Sequence, residues 1–269
     1  MREIIYWPGK RKLVYLAERA TPEFWDARWV EEGAPAPVNP RDKVVTVTPR
    51  YLEPGARVLE GGCGRGNKVR ALADTGYNAV GIDFAAATVA RANEVYPDLD
   101  IRTGDVRALD LAADSFDGYW SIGVIEHFWN GYDEILAEAA RVLRPGGVLF
   151  LTAPWFSPLR QRKAAAGDYP AIDFDAEPIN FYQFALSRSE VSAALLGHGF
   201  EILEWSGTAA ELSLQEDLSV FRSQIDWLFA SRGSIAKRLF RRAIIEGARP
   251  YCGHSFMAIA RNTGKGRDS

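Results

Sequence analysis

Four glycines, Gly61, Gly62, Gly64 and Gly66, stand within six positions of VLEGGCGRG, directly after an apolar run and before a helix-like segment. A strand-to-helix turn this bare lets a ligand approach the main chain where side chains would collide. It also aims the free N–H groups of a helix N-terminus at that ligand. The acidic Glu60 precedes the glycines, and a second apolar run, NAVGIDF, ends on Asp83 and Phe84. Further on, TGDV carries Asp105 and Val106, and SIGVIEHF carries Ser121, Ile122, Gly123, Glu126 and His127. His127 is one of three histidines in the chain and stands in a motif just after an apolar run. A histidine there suits general-base chemistry on a hydroxyl, because the ring titrates near neutrality. Each residue also has a structural reading: a tight turn for the glycines, a helix cap for Asp83, an Asx turn for Asp105, plain packing for Phe84 and His127.

The spacing of the glycines narrows the ligand. A phosphate-binding P-loop needs Gly, four residues, then Gly-Lys-Ser/Thr, and here Gly66 is followed by Asn67-Lys68-Val69. The dinucleotide fingerprint needs glycines at i, i+2 and i+5; from Gly62 and Gly64 the third position is Asn67, and from Gly64 and Gly66 it is Val69. What stands here is acidic-x-Gly-x-Gly-x-Gly at Glu60, Gly62, Gly64 and Gly66, with Gly61 in addition.

The elements that must position these residues follow a regular rhythm from about residue 56. RVLEGG, NAVGIDF, LDIRTGD, FDGYWSIG and VLFLTAP read as strands, alternating with the helical NKVRALADTG, AATVARANEVYP and YDEILAEAARVLRPGG, the last ending at its Pro-Gly. Short apolar strands alternating with helices predict a parallel sheet with right-handed crossovers. In such a sheet the ligand crevice lies at the carboxyl end of the strands. Residues 155–185 show no clear period. SRSEVSAALLGHGF reads as a helix with Ser187 and Glu190 at capping-box spacing, and FEILEWSG and HSFMAIAR read as the closing strands. Residues 207–250 carry amphipathic helices, LSVFRSQIDWLFASR and SIAKRLFRRAIIEG. Residues 1–50 read as irregular apart from a helix start with Thr21 as N-cap and Pro22 at its first position, and the tail NTGKGRDS as disordered.

The pattern around Glu60 to Gly66 resembles the first motif of the class I S-adenosylmethionine-dependent methyltransferases. The resemblance continues in order through VGIDF, TGDV, FDGYWSIGVIEHF and EAARVLRPGGVLFLTAP, covering residues 56–154. It implies a Rossmann-like α/β fold: a seven-stranded, mostly parallel sheet ending in an antiparallel hairpin, with helices on both faces. Residues 51–269 would form this domain, residues 1–50 an N-terminal segment or lid, and 155–185 and 207–250 helical insertions over the active site that wall the substrate pocket. It also implies the cofactor, S-adenosyl-L-methionine, leaving as S-adenosyl-L-homocysteine. By this resemblance Asp83 holds the ribose hydroxyls and Asp105, with Val106 beside it, the adenine amino group. Phe84 stacks near ribose or adenine, and Ser121, Ile122 and Gly123 wall the methionine moiety. VIEHF looks most like the small-molecule branch, which includes quinone and sugar methyltransferases. FWDARW, with Trp25 and Trp29, is similar to an aromatic-acidic segment that closes over the cofactor. O-methylation of a small molecule, with His127 as base, is the reaction this implies. A nicotinamide oxidoreductase, which would need a glycine where Asn67 stands, and a non-catalytic nucleoside-binding protein are the alternatives.

Composition bounds the partners. The 269 residues carry a formal charge of −3 with a pI near 5.8, against a nucleic-acid backbone as main partner. Cys63 and Cys252 stand far apart, matching neither a disulfide framework nor a zinc site, and no metal is expected. No apolar run approaches the ~20 residues of a membrane span, and MREIIYWPGKRKLVYL lacks the pattern of a signal peptide. A cytoplasmic monomer or homodimer is the expectation. Lys237, Arg238, Arg241 and Arg242, interleaved with Ile235, Leu239, Phe240 and Ile244, form a solvated face or a peripheral membrane contact.

Overall fold

In the computed structural model the apolar runs from residue 57 onward form one sheet; residues 3–31, 38–217, 223 and 235–264 are described. Its parallel strands are β3 (Arg57–Gly61), β4 (Asn78–Asp83), β5 (Asp100–Thr103), β6 (Phe116–Ile122) and β7 (Leu143–Pro154). β9 (Phe200–Thr208) and β10 (Ser255–Asn262) complete the order β5-β4-β3-β6-β7-β10-β9, with β10 antiparallel to both neighbours. The seven-stranded, mostly parallel Rossmann-like sheet is thus present. Its register puts Gly61 opposite Ile82 on one side and Ser121 on the other. The glycine turn, Asp83 and the Ile122–Gly123 step therefore emerge along one carboxyl edge.

Strand side chains alternate between faces, and here both faces are covered. Leu59, Tyr119, Leu149 and Leu151 pack with Ile135, Leu136 and Ala139 of α5 (Asp133–Val142) on one side. Val58, Trp120, Val148 and Phe150 pack with Ala71 and Leu72 of α3 (Asn67–Asp74) on the other. Trp120 stacks on Phe150 at 4.4 Å and donates its indole N–H to Thr48 Oγ1 at 3.0 Å, so its one polar atom is satisfied inside the core.

The N-terminal region departs from expectation. Residues 1–50 read as irregular, yet β1 (Glu3–Trp7) and β2 (Lys12–Leu16) form a hairpin around a 3-10 turn at Pro8–Lys10. A strand from the supposedly aperiodic insertion, β8 (Phe181–Ala185), joins β2 to give a second, three-stranded sheet. Every residue of β8 is buried, and a strand covered on both faces shows no alternation to read. A second difference lies after α5. The helix stops at Val142, and Leu143 already pairs with Phe116, because the residue before Pro145 avoids helical geometry.

The caps at Thr21 and Ser187 form as expected, the side chains accepting from Phe24 N and Glu190 N at 3.2 Å each. Glu190 itself reaches Lys12 at 2.7 Å, tying the hairpin to α7 (Arg188–Gly197). In 207–250 the described helices are α8 (Ala210–Asp217) and α9 (Ile235–Ala248). The expected helix LSVFRSQIDWLFASR and the tail after Gly264 lie outside the described residues, save Ser223. α8 is anchored by the buried Asp217, which accepts from Arg160 Nε of α6 (Pro158–Ala165) at 3.0 Å and from Ser213 Oγ at 2.7 Å. Arg160 also donates to the carbonyls of Trp155 and His254, both at 3.2 Å. Asp217→Ala removes the buried half of that ion pairing and leaves the guanidinium only the exposed Glu216, 3.5 Å away. The expected loss is about 3–5 kcal/mol of unfolding free energy in a denaturant titration. No described helix is long and apolar enough to cross a membrane.

Candidate functional site

An open cleft runs along the carboxyl edge. Gly62, Asp83, Phe84, Asp105, Val106, Ile122, Gly123 and His127 all line it. Glu60, Gly61, Gly64, Gly66 and Ser121 do not, and the reasons differ. A Cβ at Gly61 would collide with Tyr119 Oη and one at Gly66 with Ile101 Cδ1, so both glycines make room for core side chains. Gly64 lies under Trp29, where a Cβ would sit 3.2 Å from the indole ring. Glu60 is buried beneath the turn; burial pushes its pKa up and the Lys68 charge opposes this. Ser121 is buried with its Oγ unpartnered among the described residues.

Asp83 is held rigidly. One carboxylate oxygen accepts from Gly64 N at 2.7 Å and the other from Ala85 N at 2.9 Å, leaving each a further lone pair. Burial raises its pKa while those N–H groups pull it down. Asp105 forms the Asx turn considered from the sequence, accepting from Arg107 N at 2.9 Å. It also grips the Arg107 guanidinium at 2.6 Å, and that hydrogen-bonded cation holds the carboxyl below its usual range.

Trp25 and Trp29 of α1 (Pro22–Glu31) form the cleft's outer wall, stacked 5.5 Å apart. α1 is docked by Asp26, whose Oδ1 accepts from Thr88 N at 2.7 Å and Thr88 Oγ1 at 2.6 Å. Thr88 is in the first turn of α4 (Ala86–Val95), whose own N-cap position, Ala85, has no side chain to cap with. Asp26 thus caps α4 from another helix. Asp26→Ala should cost about 0.5–2 kcal/mol and quicken amide exchange throughout α1, read by mass-spectrometric hydrogen exchange.

His127 ends a 3-10 turn, Ile125–His127, after β6. Its Nδ1 lies 2.7 Å from the Tyr182 carbonyl oxygen. A carbonyl only accepts, so Nδ1 carries the proton and Nε2 is the basic nitrogen of the neutral ring. Trp25 and Tyr182 pack against the ring edge-to-face at 5.4 and 5.1 Å. The other two histidines are engaged elsewhere, His198 with Asp133 and His254 with Glu216.

A second open cleft, about 1390 Å3, shares Ala20, His127 and Phe128 with the first. Glu177 and Phe181 bring the 155–185 region into its wall. The rest comes from the N-terminal Arg19 to Pro22, from Arg107, from Trp129, Asn130 and Gly131, and from Asp133 and Glu134 at the start of α5. Arg19 and Glu177 pair across it at 2.8 Å. No described residue of 207–250 lines either of these two clefts. Ile244, Ile245 and Ala248 of α9 instead pack on Ala210, Leu214 and Cys252.

Residues 59–151 match the family described as "Methyltransferase domain". A protein of Mycolicibacterium smegmatis (strain ATCC 700084 / mc(2)155), named "Probable S-adenosylmethionine-dependent methyltransferase", is 33% identical over 180 residues. That stretch is 64% of this chain and 64% of the relative, so the chain spans just under two thirds of that protein's length. The "Ubiquinone biosynthesis O-methyltransferase" of Xanthomonas campestris pv. campestris (strain B100) is 30% identical over 209 residues, 74% of this chain and 83% of the relative. The structure of geranyl diphosphate C-methyltransferase from Streptomyces coelicolor A3(2) superposes with a TM-score of 0.52 at 14% identity, covering 82% of this chain and 77% of that one. That last likeness concerns the fold alone, but the ordered motifs, the sheet order and the xanthomonad match converge, and the chain belongs to the class I S-adenosylmethionine-dependent methyltransferases.

Proposed function

We propose that the protein methylates a hydroxyl group of a small, ring-bearing acceptor, with S-adenosylmethionine in the first cleft, the acceptor in the second and His127 between them. The observation that carries this reading is His127 itself, a wall of both clefts with its tautomer set by the Tyr182 carbonyl. The residues present fit the cofactor. Gly62, at φ 77°, offers bare main chain to the cleft, and Asp83 has lone pairs left for a ribose diol. Ser121 Oγ, unpartnered among the described residues, lies at the neighbouring strand end. The cofactor, when bound, supplies a sulfonium methyl group.

This chain's own residues then position and deprotonate. The glycine turn, Asp83 and Asp105 hold the nucleoside side of the first cleft, while Trp25 and Trp29 exclude water from it. Phe128 and Trp129 offer flat apolar surface to an acceptor ring. Positioning of this kind supplies up to ~7–11 kcal/mol of a barrier. His127 Nε2 takes the hydroxyl proton as the oxygen attacks. The names of the ubiquinone-biosynthesis relatives support an oxygen acceptor. Thermal-shift measurement tests the cofactor: S-adenosylhomocysteine at 100 Kd should stabilise by about 2.7 kcal/mol, and NAD and NADP should not. Stabilisation by a nicotinamide dinucleotide alone would overturn the reading. Transfer of radiolabelled methyl to small molecules in host extracts then identifies the acceptor.

A further inference from the structure

α9 carries positive charge that neither cleft uses. Residues 237–249 hold Lys237, Arg238, Arg241, Arg242 and Arg249 against one acid, Glu246. That acid is met by Arg249 Nη1 at 2.9 Å, one turn further on. Four cations remain on a chain whose formal net charge is −3, so positive charge is gathered on this helix while the rest of the chain is acidic. No described residue of α9 lines either of the two clefts.

The geometry of the helix separates two faces. Ile244, Ile245 and Ala248 form the inner stripe on Ala210, Leu214 and Cys252. With about 3.6 residues per turn, Leu239, Arg242 and Ala243 lie opposite that stripe, and Arg238 and Phe240 flank them. The exposures agree: Leu239 is 63% and Phe240 60% exposed, and Arg238 and Arg242 are exposed as well. Among the described residues, Leu239 and Phe240 are the one pair of exposed large apolar side chains adjacent in sequence. Water around them costs free energy that burial would recover. A partner that suits this face must offer negative charge with apolar volume just behind it. An anionic bilayer does so: headgroup phosphates meet the guanidinium groups and the acyl boundary takes the apolar side chains. A second copy docked face to face would set these cations against their own equivalents. A nucleic-acid backbone offers the charge but no apolar layer for Leu239.

We propose that the outer face of α9 docks the protein on an anionic lipid bilayer, with Arg238 and Arg242 on the headgroup phosphates and Leu239 and Phe240 in the acyl boundary. Lys237 and Arg241, half-buried along the helix flank, add to the attraction. Contact of this kind is reversible and salt-sensitive, because exposed charges are screened. Each basic side chain near the surface strengthens binding roughly fivefold. The proposal stands apart from the cofactor reading and is tested without any cofactor.

Co-sedimentation of the full chain with vesicles tests this, using phosphatidylcholine alone and equal parts of phosphatidylcholine and phosphatidylglycerol. The wild type should bind the mixed vesicles, ignore pure phosphatidylcholine and come off as salt is raised. Arg238→Glu with Arg242→Glu should bind roughly 25-fold more weakly or worse, and Leu239→Ser with Phe240→Ser should weaken binding while keeping its salt dependence. Near-ultraviolet circular dichroism checks that each variant is folded. Should the charge variant not fold, Phe240→Cys carrying a polarity-sensitive fluorophore decides instead: Cys63 and Cys252 are buried, so the label goes to position 240. Its emission should shift to the blue and brighten on mixed vesicles only. No binding to mixed vesicles, full binding by the folded charge variant, or an unchanged label on vesicle-bound protein would each overturn the proposal. So would a concentration-dependent dimer in sedimentation velocity that Leu239→Ser dissolves, since a second copy then owns this face, and so would tighter binding to single-stranded RNA than to the mixed vesicles.

Discussion

Gly62→Ala should lower the affinity for S-adenosylhomocysteine by 100-fold or more, roughly 2.7 kcal/mol, in a protein that still folds. Gly62 adopts φ 77°, the left-handed region, and a Cβ there would collide with Val124 Cγ2. Gly62 and Val124 both line the first cleft, so relief of the clash drives a methyl group or Val124 into the ligand's volume. The strained backbone and the overpacking each cost on the order of 1–3 kcal/mol, which a domain of this size tolerates. Near-ultraviolet circular dichroism establishes that the variant is folded, and titration calorimetry reads the affinity. Unchanged affinity in a folded variant would falsify the placement of the ligand against this turn.

His127→Asn should lower kcat roughly 10²–10⁴-fold while leaving cofactor affinity within a few-fold of wild type. The asparagine amide can still donate to the Tyr182 carbonyl, so the local fold keeps its anchor, but no basic nitrogen remains to accept the acceptor's proton. The wild-type rate should rise with pH along a limb that the variant lacks. Steady-state methyl transfer at several pH values measures both. A variant with normal kcat and lowered melting temperature would make His127 a packing residue, its ring held only to fill the space between Trp25 and Tyr182.

The parallel sheet was legible because its strands are short apolar runs closed by turn chemistry, and because one glycine-rich turn marks its first crossover. The same glycines show where reading stops. All four look like ligand contacts in sequence, yet only Gly62 lines the cleft, and Gly61 and Gly66 are bare for Tyr119 and Ile101, residues 58 and 35 positions away. Asp83 and His127 could be placed at the cleft from strand-end position alone. Arg107 could not be matched with Asp105, nor Asp26 with Thr88, because both depend on how separate segments dock. Asp26 in particular does a task that helix rules assign to position 85, where the chain carries alanine. β8 stayed hidden for the opposite reason: complete burial erased the alternation that would have announced a strand.

The sheet that joins β2 to β8 sets an order of events during synthesis. Leu13 pairs with Ala185, so the hairpin leaves the ribosome about 170 residues before its third strand exists, a contact of very long sequence separation. At bacterial-type elongation speeds the wait is roughly 10–35 s. Throughout it Leu13, Val14 and Tyr15, all buried in the finished protein, have no β8 to cover them, and β2 presents an open edge of the sort that invites mispairing. The nascent chain is thus most exposed to chaperones and to aggregation at its first two strands, and the segment around residue 181 both completes the second cleft and ends that exposure.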